Sequence, residues 1–287
     1  LPTVLQENGY CNLFFMTHES QYDNMNAFLR TNGFDEIYAQ ENYPSEKVVN
    51  SFGVQDDFMY QYALPILNER AGTGNPFFSV LLSISNHPPY VIPPYFHPHS
   101  DVLEEQIVEY ADWSIRQFMQ AAEKQPWFDN TIFVFLGDHG KMVGTPECEM
   151  PQSYNHIPLM IYGKDIKPGV YDGFGGQVDV SPTLLGLLNI SYLQNNFGVN
   201  LLEEERPCMF FTADNLIGAR DSVNMFIYSP DSQQEFKYKL EEGKLHAATG
   251  TDEEAFRNLK YYCFSMLQST ESLVKEHKTL DKVSVKK

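Results

Sequence analysis

The sequence predicts an α/β fold in which a largely parallel sheet lies between helices, followed by a small antiparallel sheet and a closing helix. From residue 1 to about 190, short apolar runs of strand length alternate with stretches that have helical periodicity. Several of these runs are apolar without interruption, as in a strand that helices cover on both faces. Beyond about residue 205, short strand-like runs follow one another directly, which is typical of an antiparallel meander.

The N-terminal half supplies the first helices and strands of the predicted sheet. Gly9 is suited to end a first helix, and Pro65 adjusts a longer helix without removing its apolar face. The predicted helix over 104–122 has apolar residues three or four positions apart, all on one face. The predicted elements are, in order, a helix over 1–10, a strand over 13–16, a helix over 24–29, a strand over 34–38, a helix over 56–71, a strand over 77–84 and a helix over 104–122.

The C-terminal half completes the sheet and forms the antiparallel region. Ser181 is a good helix cap and Pro182 is tolerated at a first helical position, so we expect a helix to begin there. We expect a main α/β domain over 1–205 and a C-terminal subdomain over 206–287 that ends in a solvated Lys-rich tail. The predicted elements are, in order, strands over 131–136 and 157–162, a helix over 181–188, strands over 208–212, 224–228 and 236–240, and a helix over 252–270.

The composition limits the classes of partner. With 20 basic and 38 acidic residues the chain carries a net charge of −18, which argues against nucleic acid or an anionic membrane as a partner. No apolar stretch reaches the roughly 18 residues that a membrane-spanning helix needs. The chain begins at Leu1 without an initiating Met or a signal peptide, so we expect a fragment or a processed product.

The four cysteines are widely spaced and include no C-x-x-C pair. This spacing excludes a zinc knuckle and a dithiol redox motif. Free buried thiols are the prediction, and one or two disulfides stay open for an oxidising compartment.

The most informative residues lie where a predicted strand ends in Gly137-Asp138-His139-Gly140. In open α/β sheets, ligands bind at the carboxyl ends of the strands. A carboxylate and an imidazole together suit Zn²⁺ or Mn²⁺ better than Ca²⁺, which prefers oxygen alone. Asp138 and His139 are therefore candidate metal ligands, and two adjacent ligands make at most half a site. The alternative is a polar turn in which Gly137 and Gly140 serve the backbone geometry.

Several segments besides this motif occur in a defined order along the chain. They are Leu1-Pro2-Thr3-Val4-Leu5, Asn8-Gly9-Tyr10, Ser85-Asn86-His87-Pro88, Tyr110-Ala111-Asp112, Asp129-Asn130-Thr131, His156-Ile157-Pro158-Leu159 and Gln177-Val178-Asp179-Val180-Ser181-Pro182-Thr183-Leu184. In this order the chain resembles the sulfatase-like proteins of the lipoteichoic acid synthase and phosphoglycerol transferase type, which belong to the alkaline phosphatase superfamily. The resemblance implies an alkaline phosphatase-like α/β fold and is least diagnostic toward the C-terminal end.

The resemblance also implies a single divalent metal ion. Family members hold manganese or zinc by an acidic residue, a nucleophilic Thr and an Asp-His pair, which corresponds to Asp138 and His139; Mg²⁺ and Ca²⁺ stay open. A family His that contacts the substrate headgroup corresponds to His87, with a plain loop residue before Pro88 as the alternative. His156 is the next candidate for a phosphate contact, and its alternative is a hydrogen-bonded structural histidine.

The chain departs from the family pattern after its first predicted strand. Family members place Trp and Arg where Met25 and Ala27 stand here, so the headgroup of the substrate stays open. His18, Asp23 and Asn24 are candidates to line the substrate. Asp23 has the alternative role of capping the helix that begins at Asn24.

The chemistry and the resemblance together predict a metal-dependent hydrolase or transferase of phosphate or sulfate esters, with phosphoryl transfer favoured. An anionic ester needs a cation and His donors around its oxygens, and metal coordination activates the nucleophile. Family members carry the first acidic ligand and the nucleophile upstream of the segment that begins here at Leu1. We therefore expect no catalytic nucleophile in this chain, weak metal binding and no turnover.

The resemblance implies a cellular setting for the intact protein. Family members are anchored by N-terminal membrane helices, with the catalytic domain outside the cytoplasm at the periplasmic or cell-surface face. A lipid headgroup is a candidate substrate. The alternative to an enzyme is a non-catalytic binding or structural module that retains the fold.

Overall fold

The computed structural model describes residues 1–248 and 253–276, and its contacts divide the chain into two units. The first unit is Leu1–Ile132 and the second is Phe133–Lys287. A domain boundary after residue 205 stays a prediction. None of the helices among the described residues is long and apolar enough to cross a membrane.

The first unit contains every helix and strand that the sequence predicts for it. Its elements are α1 (Pro2–Glu7), β1 (Cys11–Met16), α2 (Met25–Thr31), β2 (Glu36–Tyr38), β3 (Val48–Asn50), β4 (Gly53–Val54), α3 (Asp56–Gly72), β5 (Phe77–Leu82) and α4 (Leu103–Ala122). Strand β1 lies between β2 and β5 in a three-stranded parallel sheet. The hairpin of β3 and β4 was not predicted.

The central strand β1 is buried on both faces, as its apolar sequence predicts. Leu13 and Phe15, each 0% exposed, pack against α3. Phe14 and Met16 point to the opposite face and pack against α2. Because β1 and β5 are parallel, the segments that follow them lie at the same edge of the sheet, where ligands bind in folds of this kind.

The second unit begins with a short hairpin and ends with an antiparallel sheet. Its elements are β6 (Phe133–Leu136), α5 (Gln152–Asn155), β7 (Leu159–Tyr162), α6 (Gln177–Leu187), β8 (Met209–Ala213), β9 (Leu216–Arg220), β10 (Asn224–Ser229), β11 (Gln234–Glu241), β12 (Lys244–Ala247) and α7 (Glu253–Lys275). Strands β6 and β7 pair antiparallel in a two-stranded sheet, and Leu136 is 42% exposed. For β6, the expectation that an uninterrupted apolar run is covered on both faces is therefore not met.

Helix α6 begins at Gln177 rather than at Ser181, which corrects the predicted start. Gly176 is the residue that precedes its first turn, and the Asp179 carboxylate accepts the backbone N–H of Gly176 at 2.9 Å. This carboxylate satisfies a donor that the helix leaves free, so the helix starts before Pro182 and accommodates the proline inside.

The C-terminal sheet and helix confirm the predicted antiparallel region. The strand order is β12-β11-β10-β9-β8, with every neighbouring pair antiparallel. Helix α7 packs Phe256 and Cys263 against one face of this sheet. Cys148 and Met150 pack against the opposite face of the sheet. All four cysteines lie in the described part of the chain as free thiols; Cys148 and Cys263 are buried, as predicted, and Cys11 and Cys208 are half-buried. The predicted helix start at 252 and the end of the tail from 277 lie outside the described residues.

Candidate metal and substrate site

The Asp138 and His139 side chains follow β6 directly, and Oδ2 of Asp138 lies close to Nε2 of His139. The Asp138 carboxylate accepts the backbone N–H of His139 at 2.9 Å. His139 Nδ1 lies 2.7 Å from the carbonyl oxygen of Gly140, which fixes the proton on Nδ1 and leaves the lone pair on Nε2. Nε2 lies 3.7 Å from Asp138 Oδ2, and the two side chains are 56% and 78% exposed.

This pair fits two ligands of one divalent ion. Two ligand atoms at about 2.1 Å from a tetrahedral zinc lie roughly 3.4 Å apart, close to the separation of Nε2 and Oδ2. A carboxylate oxygen and an imidazole nitrogen suit zinc or manganese. Among the described residues, no group of three or more His, Cys, Asp or Glu side chains lies together as a metal site. The described chain thus brings together two candidate ligands at this point.

The backbone of the Asp-His pair is held from two sides. Gly140 donates its N–H to the carbonyl oxygen of Tyr154 at 2.8 Å, and the Tyr154 ring stacks on His139 at 5.3 Å between centroids. From α6, Gln177 Nε2 donates to the carbonyl oxygen of Asp138 at 2.7 Å. Neither Tyr154 nor Gln177 was predicted as a site residue, although Gln177 opens one of the segments that carry the resemblance.

Gly140 serves the backbone geometry that the polar-turn alternative assigns to it. A Cβ atom at this position would lie 2.1 Å from the carbonyl oxygen of Ser153. Only glycine allows this approach, and the approach places Tyr154 beside His139. The tight turn and the exposed pair of candidate ligands therefore occur together.

His156 lies just after α5 and is exposed. Its backbone N–H donates to the carbonyl oxygen of Gln152 at 2.7 Å, which ends the helix. It follows Tyr154 by two positions in the sequence and is placed in the same unit as the Asp-His pair. A role in contacting phosphate stays a prediction.

In the first unit, His87 lies in the loop that follows β5 and lines a small pocket. Its backbone N–H donates to the carbonyl oxygen of Ile84 at 2.8 Å, and Nδ1 lies 2.7 Å from the carbonyl oxygen of Pro88. The imidazole packs on the ring of Phe52 at 4.3 Å between centroids. Asn50 also lines this pocket, which places a polar amide beside the apolar wall.

Three consecutive residues at the start of α3 hold the His87 loop, and none was predicted. Asp56 accepts the backbone N–H groups of Ile84 at 2.9 Å and of Ser85 at 3.2 Å. Burial raises the pKa of Asp56, and these hydrogen bonds oppose the shift. Gln55 Nε2 donates to a loop carbonyl oxygen at 3.2 Å, and Asp57 accepts the hydroxyl of Tyr95 at 2.9 Å.

Asp23 and Asn24 lie in an exposed left-handed turn before α2, with φ of 47° and 59°. Asn24 occupies the position before the helix, and neither side chain makes a cap hydrogen bond there. The alternative in which Asp23 caps the helix is therefore wrong, because Asn26 donates its backbone N–H to the carbonyl oxygen of Ser20 instead. His18 is 4% exposed.

Comparisons with known proteins agree on one superfamily. The Sulfatase family model matches residues 1–190 of the chain. Lipoteichoic acid synthase 2 of Bacillus subtilis is 24% identical over 254 residues, which is 77% of this chain and 37% of that protein. Phosphoglycerol transferase I of Xanthomonas campestris is 25% identical over 242 residues, which is 80% of this chain and 34% of that protein.

A solved structure gives the same result for the fold. A protein of the alkaline phosphatase superfamily from Vibrio parahaemolyticus is 26% identical and superimposes with a TM-score of 0.82, covering 94% of this chain and 67% of that chain. The fold is thus that of the alkaline phosphatase superfamily. The chain belongs to the Sulfatase family, and it spans 37% and 34% of the lengths of the two curated relatives.

Proposed function

We propose that this chain is the C-terminal part of the catalytic domain of a metal-dependent hydrolase or transferase of phosphate esters. The main support is the geometry of Asp138 and His139. The Gly140 carbonyl oxygen accepts the Nδ1–H of His139, which leaves Nε2 available as a ligand atom. Nε2 lies 3.7 Å from a carboxylate oxygen of Asp138, and both side chains are exposed. The names of the relatives, lipoteichoic acid synthase and phosphoglycerol transferase, favour a glycerol phosphate group over a sulfate ester.

We propose Mn²⁺ or Zn²⁺ as the ion, because His139 offers a nitrogen ligand that Mg²⁺ and Ca²⁺ rarely use. Such an ion supplies Lewis acidity for the ester oxygens when bound. The chain's own contribution is to present the two ligands and the histidine donors. His87 and His156 are proposed to donate from Nε2 to anionic oxygens when protonated, and Asp23 and Asn24 to line the headgroup.

The nucleophile and the remaining acidic ligand are proposed to come from a part of the protein N-terminal to Leu1. Two ligands hold a divalent ion weakly, so this chain by itself is expected to bind metal weakly and to lack turnover. The intact protein is proposed to act outside the cytoplasm and to be anchored by N-terminal membrane helices, as the resemblance to the lipoteichoic acid synthases implies.

The proposal is tested on the full-length protein with its upstream region. Turnover of phosphatidylglycerol and of an aryl sulfate is measured with and without Mn²⁺. We expect Mn²⁺-dependent release of glycerol phosphate, lost in Asp138→Ala and His139→Ala. The matched controls are Asp231→Ala, in the turn between β10 and β11, and His246→Ala, in β12; both residues are exposed, and both variants should keep full activity.

Three other results have a defined meaning. Turnover of the aryl sulfate alone assigns a sulfatase and contradicts phosphoryl transfer. Absence of turnover for both esters supports the non-catalytic module. Robust metal-dependent hydrolysis by the present chain would contradict the placement of the nucleophile upstream.

A further inference from the structure

We infer that Arg220, at the end of β9, is a positioning residue that holds the Asp138 and His139 pair from the C-terminal sheet. This inference rests on the proposed function, in which that pair binds a divalent ion. The Arg220 side chain contacts two segments that are far apart in the sequence. Each of these segments in turn contacts the Asp-His pair.

The first contact runs through α5. Arg220 Nη1 donates to Gln152 Oε1 at 2.6 Å, and Gln152 is the first residue of this helix. Two positions later, Tyr154 stacks on His139 and accepts the backbone N–H of Gly140. Because α5 is a single helical turn, a fixed Gln152 also fixes Tyr154. Arg220 thus sets the position of the ring that packs on the candidate ligand.

The second contact runs through the segment before α6. The Arg220 guanidinium lies 5.9 Å from the centroid of the Phe174 ring, within the range of a cation–π contact. Phe174 precedes Gln177 by three positions, and Gln177 donates to the carbonyl oxygen of Asp138. One guanidinium therefore touches both segments that hold the Asp-His pair.

Arg220 forms no ion pair within the described part of the chain, although the neighbouring Asp221 carboxylate acts on its charge from a distance. Its Nε is buried and has no hydrogen-bond partner there, and burial lowers the pKa of the guanidinium. Arg206 in the same unit forms an ion pair with Asp179 instead. The planar guanidinium of Arg220 contacts an aromatic ring and an amide oxygen at the same time. The ammonium of lysine is a point charge without a planar face or a fork, so it cannot reproduce both contacts in this geometry.

The test measures Zn²⁺ binding to the chain by titration, with the side-chain nitrogen shifts of His139 recorded by NMR. We expect Arg220→Met to weaken Zn²⁺ binding at His139 about tenfold, in the range found for residues that orient metal ligands. Without metal, the His139 shifts should move from the Nδ1-protonated tautomer toward a mixture. Arg220→Lys should behave like Arg220→Met, because it keeps the charge and loses the fork.

The matched control is Lys237→Met. Lys237 is another cation of the same sheet, and its Nζ lies 5.9 Å from the centroid of the Phe256 ring. It should bind Zn²⁺ like the wild type. Gln152→Ala breaks the first contact and keeps the arginine, so it decides the matter if Arg220→Met fails to fold. It should weaken binding severalfold and shift His139 in the same direction as Arg220→Met.

The failure of this inference differs from the failure of the proposed function. If Asp138→Ala and His139→Ala bind Zn²⁺ like the wild type, the proposed metal pair is wrong. If these two variants lose binding while Arg220→Met or Gln152→Ala keeps it together with unchanged His139 shifts, the role of Arg220 is wrong.

Discussion

The His87 loop and the Asp138–His139 turn are held in different ways. In the first unit, the buried carboxylate of Asp56, 1% exposed, accepts backbone N–H groups of the loop. In the second unit, the ligand side chains are 56% and 78% exposed, and neutral groups such as the Gln177 amide contact their backbone. The His87 loop is thus held by a buried carboxylate, whereas the Asp138–His139 turn leaves its ionisable side chains exposed to water.

This difference fits the roles proposed for the two sites. A histidine that contacts substrate needs only a fixed loop, and buried acceptors for backbone N–H groups give that rigidity. Atoms that bind a metal must stay free of other partners until the ion arrives. Neutral contacts to the backbone orient Asp138 and His139 without occupying Oδ2 and Nε2. The contrast predicts that changes to charged groups affect stability and that changes at the turn affect metal binding.

The largest expected effect comes from the buried ion pair of the second unit. Asp179 is 0% exposed and accepts Arg206 Nε at 2.9 Å. Asp179→Asn leaves Arg206 uncompensated, so we expect the free energy of unfolding to fall by about 3–5 kcal/mol. Chemical denaturation measures this loss. The control is Asp112→Asn, an exposed partner of Arg116 that should change stability by about 0.5 kcal/mol or less. Equal effects of the two substitutions would contradict the assignment.

The next effect concerns Asp56. Asp56→Ala leaves the N–H groups of Ile84 and Ser85 without their acceptor, which costs about 1–3 kcal/mol for each buried donor. The substitution also removes the unfavourable burial of a carboxylate, so we expect a net loss of about 2 kcal/mol and a shifted His87 resonance by NMR. Asp56→Asn keeps one acceptor oxygen and should lose less. A stable Asp56→Ala variant with an unmoved His87 would show that the loop is held by other contacts.

A smaller effect on stability is expected at Gly140. A Cβ atom in Gly140→Ala would lie 2.1 Å from the carbonyl oxygen of Ser153, so the turn must open. Strain of this size costs about 1–2 kcal/mol when the neighbouring backbone can move. Zn²⁺ binding at His139 should fall more than stability does, as titration and thermal unfolding measure. Gly169→Ala is the control, since nothing lies within 4 Å of its added Cβ. Unchanged Zn²⁺ binding in Gly140→Ala would separate the turn from the metal pair.

The most reliable sequence signals were uninterrupted apolar runs, long stretches with helical periodicity and short motifs. Buried strand β1 and helix α4 follow directly from apolar runs and spacing. Strands β9 and β12 were missed because each is short and mixed in polarity. Two-residue turns with positive φ precede them, at Asp214 and Asn215 and at Glu242 and Gly243. Asp, Asn and Gly favour hairpin turns, so the turn chemistry was the usable signal.

The site residues were predictable only where they are adjacent in the sequence. Asp138 and His139 are adjacent, and a strand end precedes them. Gln177, Tyr154 and Arg220 act from separate elements, and their contacts depend on how the elements pack. No local pattern distinguishes a glutamine at a helix start that bonds a distant carbonyl from one that faces water. Such residues become visible only in the folded chain.

The smallest expected effect is a pH dependence of the half-exposed ion pair in the first unit. Glu36 and Arg70 are 25% and 26% exposed and lie 2.7 Å apart. Burial opposes the charge of Glu36, but hydrogen bonds from Arg70 and Tyr38 outweigh it and hold the pKa of Glu36 below its usual value. A carboxylate with a lowered pKa stabilises the fold fully above its unfolded pKa of about 4.3 and loses this contribution as the pH falls through its folded pKa.

We therefore expect Glu36→Gln to lower the free energy of unfolding at pH 7 by about 1 kcal/mol or less, because solvent screens the pair. The difference from the wild type should begin to shrink as the pH falls below about 4.3, and it should vanish below the folded pKa of Glu36, where Glu36 is protonated in both states. Denaturation at pH 7 and at pH 3 measures it. Asp179→Asn removes a fully buried carboxylate, so at pH 7 it should be far more destabilising than Glu36→Gln. A Glu36→Gln difference that stays constant down to pH 3 would mean that Glu36 acts through packing and hydrogen-bond geometry, and that exposure does not separate the two ion pairs.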